Sequence, residues 1–252
     1  MTGEKRRVVR RSVRWQGRGL FSGKPVAVSV HPAPPGSGWS WARGIDSPVP
    51  LEPAQCKPLP RSSSLSARPP ALPVRLPEHI LAALLVLDID DCCLRFFGGE
   101  PPILDGSALP FAAGLRAAGI SGRPATRQLR IELTWKGQSI SWQGDSRVLA
   151  ARTFIDRAEA RQLGGQSFFR GARPGCALIV DASTSLYGGR PRVCKEPLHH
   201  KLLDLLGDLG PFRARGSLSG LIRCNRPTHA HNQQTIQSAL ASGELRWLRT
   251  PP

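Results

Sequence analysis

The stretch "PEHILAALLVL", residues 77–87, decides how this chain is organised. Pro77 stands where a first-turn proline is tolerated, because its missing N–H would have no partner inside the helix. From Ile80 to Leu87 every residue is apolar, so the helix is apolar nearly all round and is expected to be buried. The run "ILAALLVL" is too short to span a bilayer. Glu78 and His79 open the helix, and they are the first ionisable pair of interest.

Upstream, "RRSVRWQGRGLFSGKPVAVSVHPAP" (10–34) alternates like a strand around Val26, Val28 and Val30, after a glycine-rich turn. Residues 31–75 are rich in Pro, Ser and Gly and read as short strands and loops. Downstream of the buried helix, "DCCLRFFGG" (91–99) reads as a strand, "PPILDGSALP" (101–110) as a turn and "FAAGLRAAGI" (111–120) as a second helix. "SGRPATR" (121–127) then reads as a linker, after which the pattern restarts. Strands are expected at "QLRIEL" and "QSISWQ", a further strand ending at Arg152, and a helix from about Thr153 to Leu163. The strand "CALIVD" precedes a leucine-rich helix; "GLIRCN" and "QQTIQSALA" supply a last strand and helix. Each half runs strands, helix, strand, helix, which points to two similar α+β units, residues 1–122 and 127–252. No clear self-identity relates them.

The chain has 252 residues, enough for one large domain or two compact ones. Its 35 Lys+Arg against 18 Asp+Glu give a net charge of +17, which predicts affinity for polyanions, phosphorylated small molecules or an anionic membrane surface. The opening run "KRRVVRRSVR" (5–14) reads as a solvated surface; its functional alternative is attraction to a nucleotide's phosphates or to the inner membrane face. None of the six cysteines forms a C-x-x-C pair, which reads as reduced thiols. The basic start lacks the apolar segment of a secretory signal. A cytoplasmic, monomeric protein is expected.

Three segments hold five of the six histidines: Glu78-His79, "EPLHHKLLDLLGDL" (196–209) and "PTHAHNQQ" (227–234). In the second, His200, Asp204 and Asp208 stand at i, i+4 and i+8, one polar column among leucines. His199 falls outside it. A His–Asp pair at that spacing is a salt bridge or a metal site, and a His at a helix start is a capping group or a ligand. Two imidazoles and one carboxylate make a common three-ligand zinc set with a fourth position left open. The spacing by itself leaves both readings standing.

An ordered series of motifs goes further. "GRGLFSGKPVAVSVHPAP", "PEHILAAL", "PILDGSALPF", "ARTF" at 151–154, "HKLLDLLGDL" at 200–209 and "THAHNQ" at 228–233 follow one another through both halves. In kind and order they resemble the UDP-3-O-acyl-N-acetylglucosamine deacetylases, zinc amidases of lipid A synthesis. The expected architecture is α+β: two similar domains, each a β-sheet with two main helices, the helices packed between the two sheets. The resemblance implies that His79, His200 and Asp204 bind one Zn2+ per chain, with Fe2+ an alternative. It implies that Glu78 is the general base and that His229 is an imidazolium at the oxyanion or the leaving amine, oriented by Asp208. Thr153 would donate to the oxyanion, Lys201 would bind substrate and Phe154 would pack on the sugar. The implied partner is a UDP-linked acylated amino sugar, hydrolysed to acetate and a free amine.

Three positions depart from the family pattern: Phe21 replaces the histidine of G-x-G-L-H-[ST]-G, Ile155 replaces the glycine after R-T-F, and Arg173 replaces a common serine. The resemblance implies that the changes after R-T-F touch the walls of an acyl-chain passage, so they bear on chain-length preference and not on the metal chemistry. Two other classes compete. A nucleic-acid-binding protein would suit the charge, but no helix-turn-helix, zinc-finger or RNP signature is present, so no nucleic-acid partner is expected. A metal-binding relative without catalysis is the other; the intact chemical positions argue against it.

Overall fold

All nine residues of the first helix, α1 (Glu78–Val86), are buried, Glu78 and His79 included. The computed structural model describes residues 6–66, 72–122, 128–163, 169–173, 175–181, 186–187 and 190–244. Among these, α2 (Leu109–Ala117), α3 (Arg157–Leu163), α4 (Glu196–Asp208), α5 (Gly210–Arg213) and α6 (His229–Ser242) follow α1 along the chain. Residues 123–127 of the expected linker lie outside the described residues.

Two main sheets flank the helices. The first has five strands in the order Val13–Arg18, Pro25–His31, Cys92–Phe97, Trp39–Arg43 and Val49–Pro50. Cys92–Phe97 pairs antiparallel with Pro25–His31 and parallel with Trp39–Arg43. The second has three strands in the order Gln138–Trp142, Gln128–Trp135 and Ser219–Asn225, antiparallel and then parallel. Between them, α1 packs on α2, α4 and α5, α2 lies on Val13–Arg18, and α4 lies on the second sheet. One continuous core runs from Val28, Trp39 and Phe96 through Leu84, Leu202 and Leu206 to Ile131 and Trp142. A helix with no polar face needs cover on every side, and helices inside two sheets supply it.

Each half carries a small three-stranded sheet immediately before the helix on which metal ligands are expected. Cys56–Leu59, Ser62–Leu65 and Val74–Arg75 precede α1. Thr153–Asp156, Ala177–Val180 and Leu186–Tyr187 precede α4. Leu76, in a left-handed conformation at φ 58°, turns the first of these into α1. A residue of that kind outside glycine is uncommon and is held by its surroundings; here Leu76 is buried against Leu20 and Ile103.

Four local expectations are corrected. The segment before Arg152 is a 3-10 turn at Ser146–Ala150, capped by the Asp145 carboxylate accepting from the Arg147 N–H, and not a strand. Thr153–Asp156 is a strand and not the start of a helix, since Thr153, Phe154 and Ile155 pair parallel with Ala177–Ile179; the helix begins at Arg157. His229 and His231 lie inside the first turn of α6 rather than ahead of it, because Thr228 caps that helix by accepting from the His231 N–H at 3.1 Å. The N-terminal arginines are also not simply solvated: Arg6 binds both oxygens of buried Asp91, at 2.7 and 3.0 Å.

Two glycines show how tightly the halves meet. A Cβ on Gly207 of α4 would stand 2.4 Å from the Glu78 carbonyl oxygen, so the α1–α4 crossing requires its absence. Gly106, at φ 82°, would place a Cβ 1.5 Å from the Cys176 carbonyl oxygen, and its own carbonyl accepts from the Thr153 N–H at 2.8 Å. The "PILDGSALP" turn of the first half is thereby docked on the strand that carries Thr153.

Candidate metal centre and active site

The crossing of α1 and α4 brings together His79, His200 and Asp204, whose ligand atoms lie within 4.8 Å of one another. All three side chains are buried. His200 Nδ1 is 3.2 Å from the Ala151 carbonyl oxygen, which can only accept, so this nitrogen carries the proton. Burial holds the His200 imidazole below its usual pKa despite the opposing charge of Asp204, so it is neutral and its Nε2 presents a lone pair. That lone pair faces Asp204 Oδ1 at 3.3 Å. Burial above all, with the neighbouring His200 imidazole next, pushes His79 down to about 3. Asp204 stays below the usual carboxylate range: burial raises it, but His200, His229, Lys201 and His79 together outweigh that.

Two neutral imidazoles and a carboxylate therefore converge with acceptors facing acceptors. This donor set fits a divalent cation of the zinc or iron(II) type, with three protein ligands and room for others. The Ala151 carbonyl orients His200 in the way that such ligands are commonly held.

Glu78 and His229 stand beside this cluster. The Glu78 carboxylate accepts at Oε2 from the Ser63 hydroxyl, at 2.8 Å, and its Oε1 is 3.6 Å from His229 Nε2. Burial raises Glu78 to about 7, with His229 opposing and Asp204 and Asp208 adding to the rise. His229 donates from Nδ1 to both oxygens of Asp208, at 3.1 and 3.0 Å. Burial alone would strip its proton, but Asp208, Glu78 and Asp204 outweigh it and hold the ring near pKa 10. A carboxyl near 7 and an imidazole near 10, side by side, are one acceptor and one donor of protons at neutral pH.

These groups open onto a cavity of about 600 Å3 lined also by Thr153, Phe154 and Lys201. Leu20, Leu76, Phe169 and Val180 give it an apolar wall; Arg61, Lys136 and Arg226 add to the positive charge of Lys201. Phe154 meets the His200 ring edge-on at 5.9 Å, and Lys201 Nζ lies 5.6 Å from the Phe154 ring centre. Eight of the nine expected site residues line this one cavity, and Asp208 stands behind His229, fully buried. His199 sits apart, with its Nδ1 3.4 Å from the Lys195 carbonyl oxygen. His31 is half-buried between the hydroxyls of Ser12 and Ser29, at 2.9 and 2.8 Å.

Sequence reasoning missed the residues that hold the site in place. Ser63 orients Glu78, and Asn232 donates to Asp208 Oδ2 at 2.9 Å. Arg152 forms a buried two-point pair with Glu196, with Nε–Oε1 at 2.8 Å and Nη2–Oε2 at 3.1 Å. That pair ties the start of α4 to the segment between Ala151, the partner of His200, and Thr153. Arg152 and Asn232 were visible inside "ARTF" and "THAHNQ", but nothing local announces their partners.

Comparison with known proteins identifies a family. The family model described as UDP-3-O-acyl N-acetylglycosamine deacetylase (LpxC) matches residues 6–143 and 132–241. Curated relatives carrying the name UDP-3-O-acyl-N-acetylglucosamine deacetylase are similar along most of their length. The Anaeromyxobacter dehalogenans protein is 28% identical over 96% of this chain and 89% of its own. The Thermosynechococcus vestitus protein is 30% identical over 79% of this chain and 81% of its own, and that of Myxococcus xanthus 28% identical over 90% and 83%. The match runs through both halves and so includes both helices whose crossing builds the cluster: this chain belongs to the UDP-3-O-acyl N-acetylglycosamine deacetylase family.

Proposed function

We propose that this protein hydrolyses the N-acetyl group of UDP-3-O-(3-hydroxyacyl)-N-acetylglucosamine, releasing acetate and UDP-3-O-acyl-glucosamine, the committed step of lipid A biosynthesis. The observation that carries the reading is the convergence of His79, His200 and Asp204 with Glu78 and His229 on one cavity. His79, His200 and Asp204 would hold one zinc ion per chain, or iron(II) in its place. When bound, such a cation acidifies water to a pKa of about 7 and polarises an amide carbonyl.

The protein's own groups do the rest. Glu78, held by Ser63 at Oε2, takes the proton of the attacking water at Oε1. His229 keeps a proton on Nε2 because Asp208 accepts from Nδ1. From Nε2 it donates first towards the oxygen that becomes negative and then to the departing nitrogen. The Thr153 hydroxyl supplies a second donor to that oxygen. Lys201, with the neighbouring cations, attracts the anionic nucleotide, and Phe154 offers a face to the sugar. The apolar wall of Leu20, Leu76, Phe169 and Val180 accepts acyl carbons and keeps water out.

The working unit is proposed to be a cytoplasmic monomer with two α+β domains meeting at the site. The test is acetate release from the UDP-sugar, with metal analysis in parallel. Glu78→Gln should keep its metal and lose nearly all turnover. A His79→Ala/His200→Ala variant should lose both. Near-normal turnover in Glu78→Gln, or an unchanged metal content in the double variant, removes the proposed roles.

A further inference from the structure

We propose that the helix-free face of the five-stranded sheet is where this protein rests on an anionic phospholipid surface. Val26, Val28 and Val30, with Leu94 and Phe96, point into the core, so strand alternation turns the intervening residues to the other face. There the register aligns Arg14, Ser29, Arg95 and Ala42 in one row, and Gln16, Ala27 and Phe97 in the next. Arg18 extends the first edge strand. None of the five strands contains an Asp or a Glu. Arg14 lies over the Phe97 ring at 4.2 Å, while Arg95 donates to the Gly44 and Asp46 carbonyls at 3.0 Å each, which fixes the neighbouring turn.

That turn carries Ile45, 95% exposed and lining the same groove as Arg14, Arg95 and Phe97. Cationic groups with no neutralising carboxylate on the strands, with the protruding Ile45 side chain at their rim, match a surface that is anionic outside and hydrocarbon beneath. The outer face of the second sheet is different. There Arg130 and Arg223 both pair with Glu132, at 2.9 and 3.0 Å, and their charge is spent locally. Nucleic acid suits the first face less well, since Arg14 already occupies the Phe97 ring and exposed Ile45 finds no partner on a phosphate backbone. Among the described residues no helix is long and apolar enough to cross a membrane, and the contact proposed here is one of this surface alone.

The experiment is sedimentation of the full chain with phosphatidylcholine vesicles, with and without phosphatidylglycerol. Binding is expected only to the anionic vesicles. It should be lost between about 0.1 M and about 1 M salt, as the screening length contracts from about 10 Å to about 3 Å. An Arg14→Glu/Arg18→Glu variant should bind at least roughly 30-fold more weakly, about fivefold for each arginine removed from the surface. An Arg130→Glu/Arg223→Glu variant carries the same change in net charge and should stay within about twofold of the parent. Arg14→Gln/Arg18→Gln repeats the test should the reversed charges hinder folding. Acetate release in detergent-free buffer should be unaltered in all of these. Equal weakening by both charge-reversed pairs, or no binding of the parent chain to anionic vesicles, overturns the proposal. So does tighter binding to single-stranded RNA, at matched salt, that the Arg14/Arg18 pair abolishes.

Discussion

Replacing Asp208 by Asn should turn this protein into one whose activity fails as pH rises through neutrality. In the parent chain Asp208 is fully buried and both its oxygens accept from His229 Nδ1, at 3.1 and 3.0 Å. Burial pulls the imidazolium down, and Asp208, then Glu78 and Asp204, reverse that and hold it near pKa 10. The ring is thus charged throughout the neutral range. A neutral Asn keeps the shape but removes the largest opposing charge while the burial stays, so the ring falls to its ordinary value of about 6.5 or lower. At about 6.5, roughly one ring in four is charged at pH 7 and roughly one in thirty at pH 8. The ratio of parent to variant kcat/KM should therefore climb from about 4 to about 30 over that interval. The assay is acetate release from pH 6.5 to 8.5, with melting temperature and metal content measured on the same samples. A ratio that is flat or falls with pH, in folded and metal-loaded protein, refutes the role given to Asp208.

Glu196→Gln should cost about 3–5 kcal/mol at pH 7.5, because it leaves the buried Arg152 guanidinium without its anion. Burial raises the Glu196 carboxyl, but the hydrogen bonds from Arg152 and Arg192 outweigh it and hold the group below its usual range. A depressed folded pKa stabilises above the unfolded value, about 4.3 for Glu, and the gain is lost as pH falls through the folded value. The gap in melting temperature between parent and variant should accordingly close in acid; a gap independent of pH would argue against the ion pair. Gly207→Ala sets a methyl 2.4 Å from the Glu78 carbonyl oxygen, so it should destabilise by about 1–3 kcal/mol and lower turnover by displacing α1. Unaltered stability and kcat would mean that the crossing is looser than its geometry states. Chelation should abolish acetate release and lower the melting temperature, with zinc or iron(II) restoring both; chelator-resistant turnover would contradict the reading of the cluster.

The elements were legible wherever their signal is local. The unbroken apolar run of α1 demands burial whatever surrounds it, and the i, i+4 spacing of His200 and Asp204 puts both on one helix face by helical geometry alone. Alternation in Pro25–His31 and Cys92–Phe97 likewise declares strands. Thr153–Asp156 was not legible in this way. Its strand character depends on pairing with Ala177–Val180, over twenty residues on, and within a short segment the choice between strand and helix is settled by such partners.

The amino-acid sequence alone determined the chemical types at the site, the order of its motifs and the all-round burial of the helix that carries Glu78 and His79. Only the tertiary structure decided what those groups are. The proton on His200 follows from the Ala151 carbonyl, the charge on His229 from Asp208, and the poise of Glu78 from its burial beside Ser63. Such properties are set by the field at a few ångströms, and the neighbours that create it come from chain segments tens of residues apart. The docking of Gly106 against Cys176 and of Gly207 against Glu78 belongs to the same kind of fact, since close packing is a relation between surfaces that neither segment contains by itself.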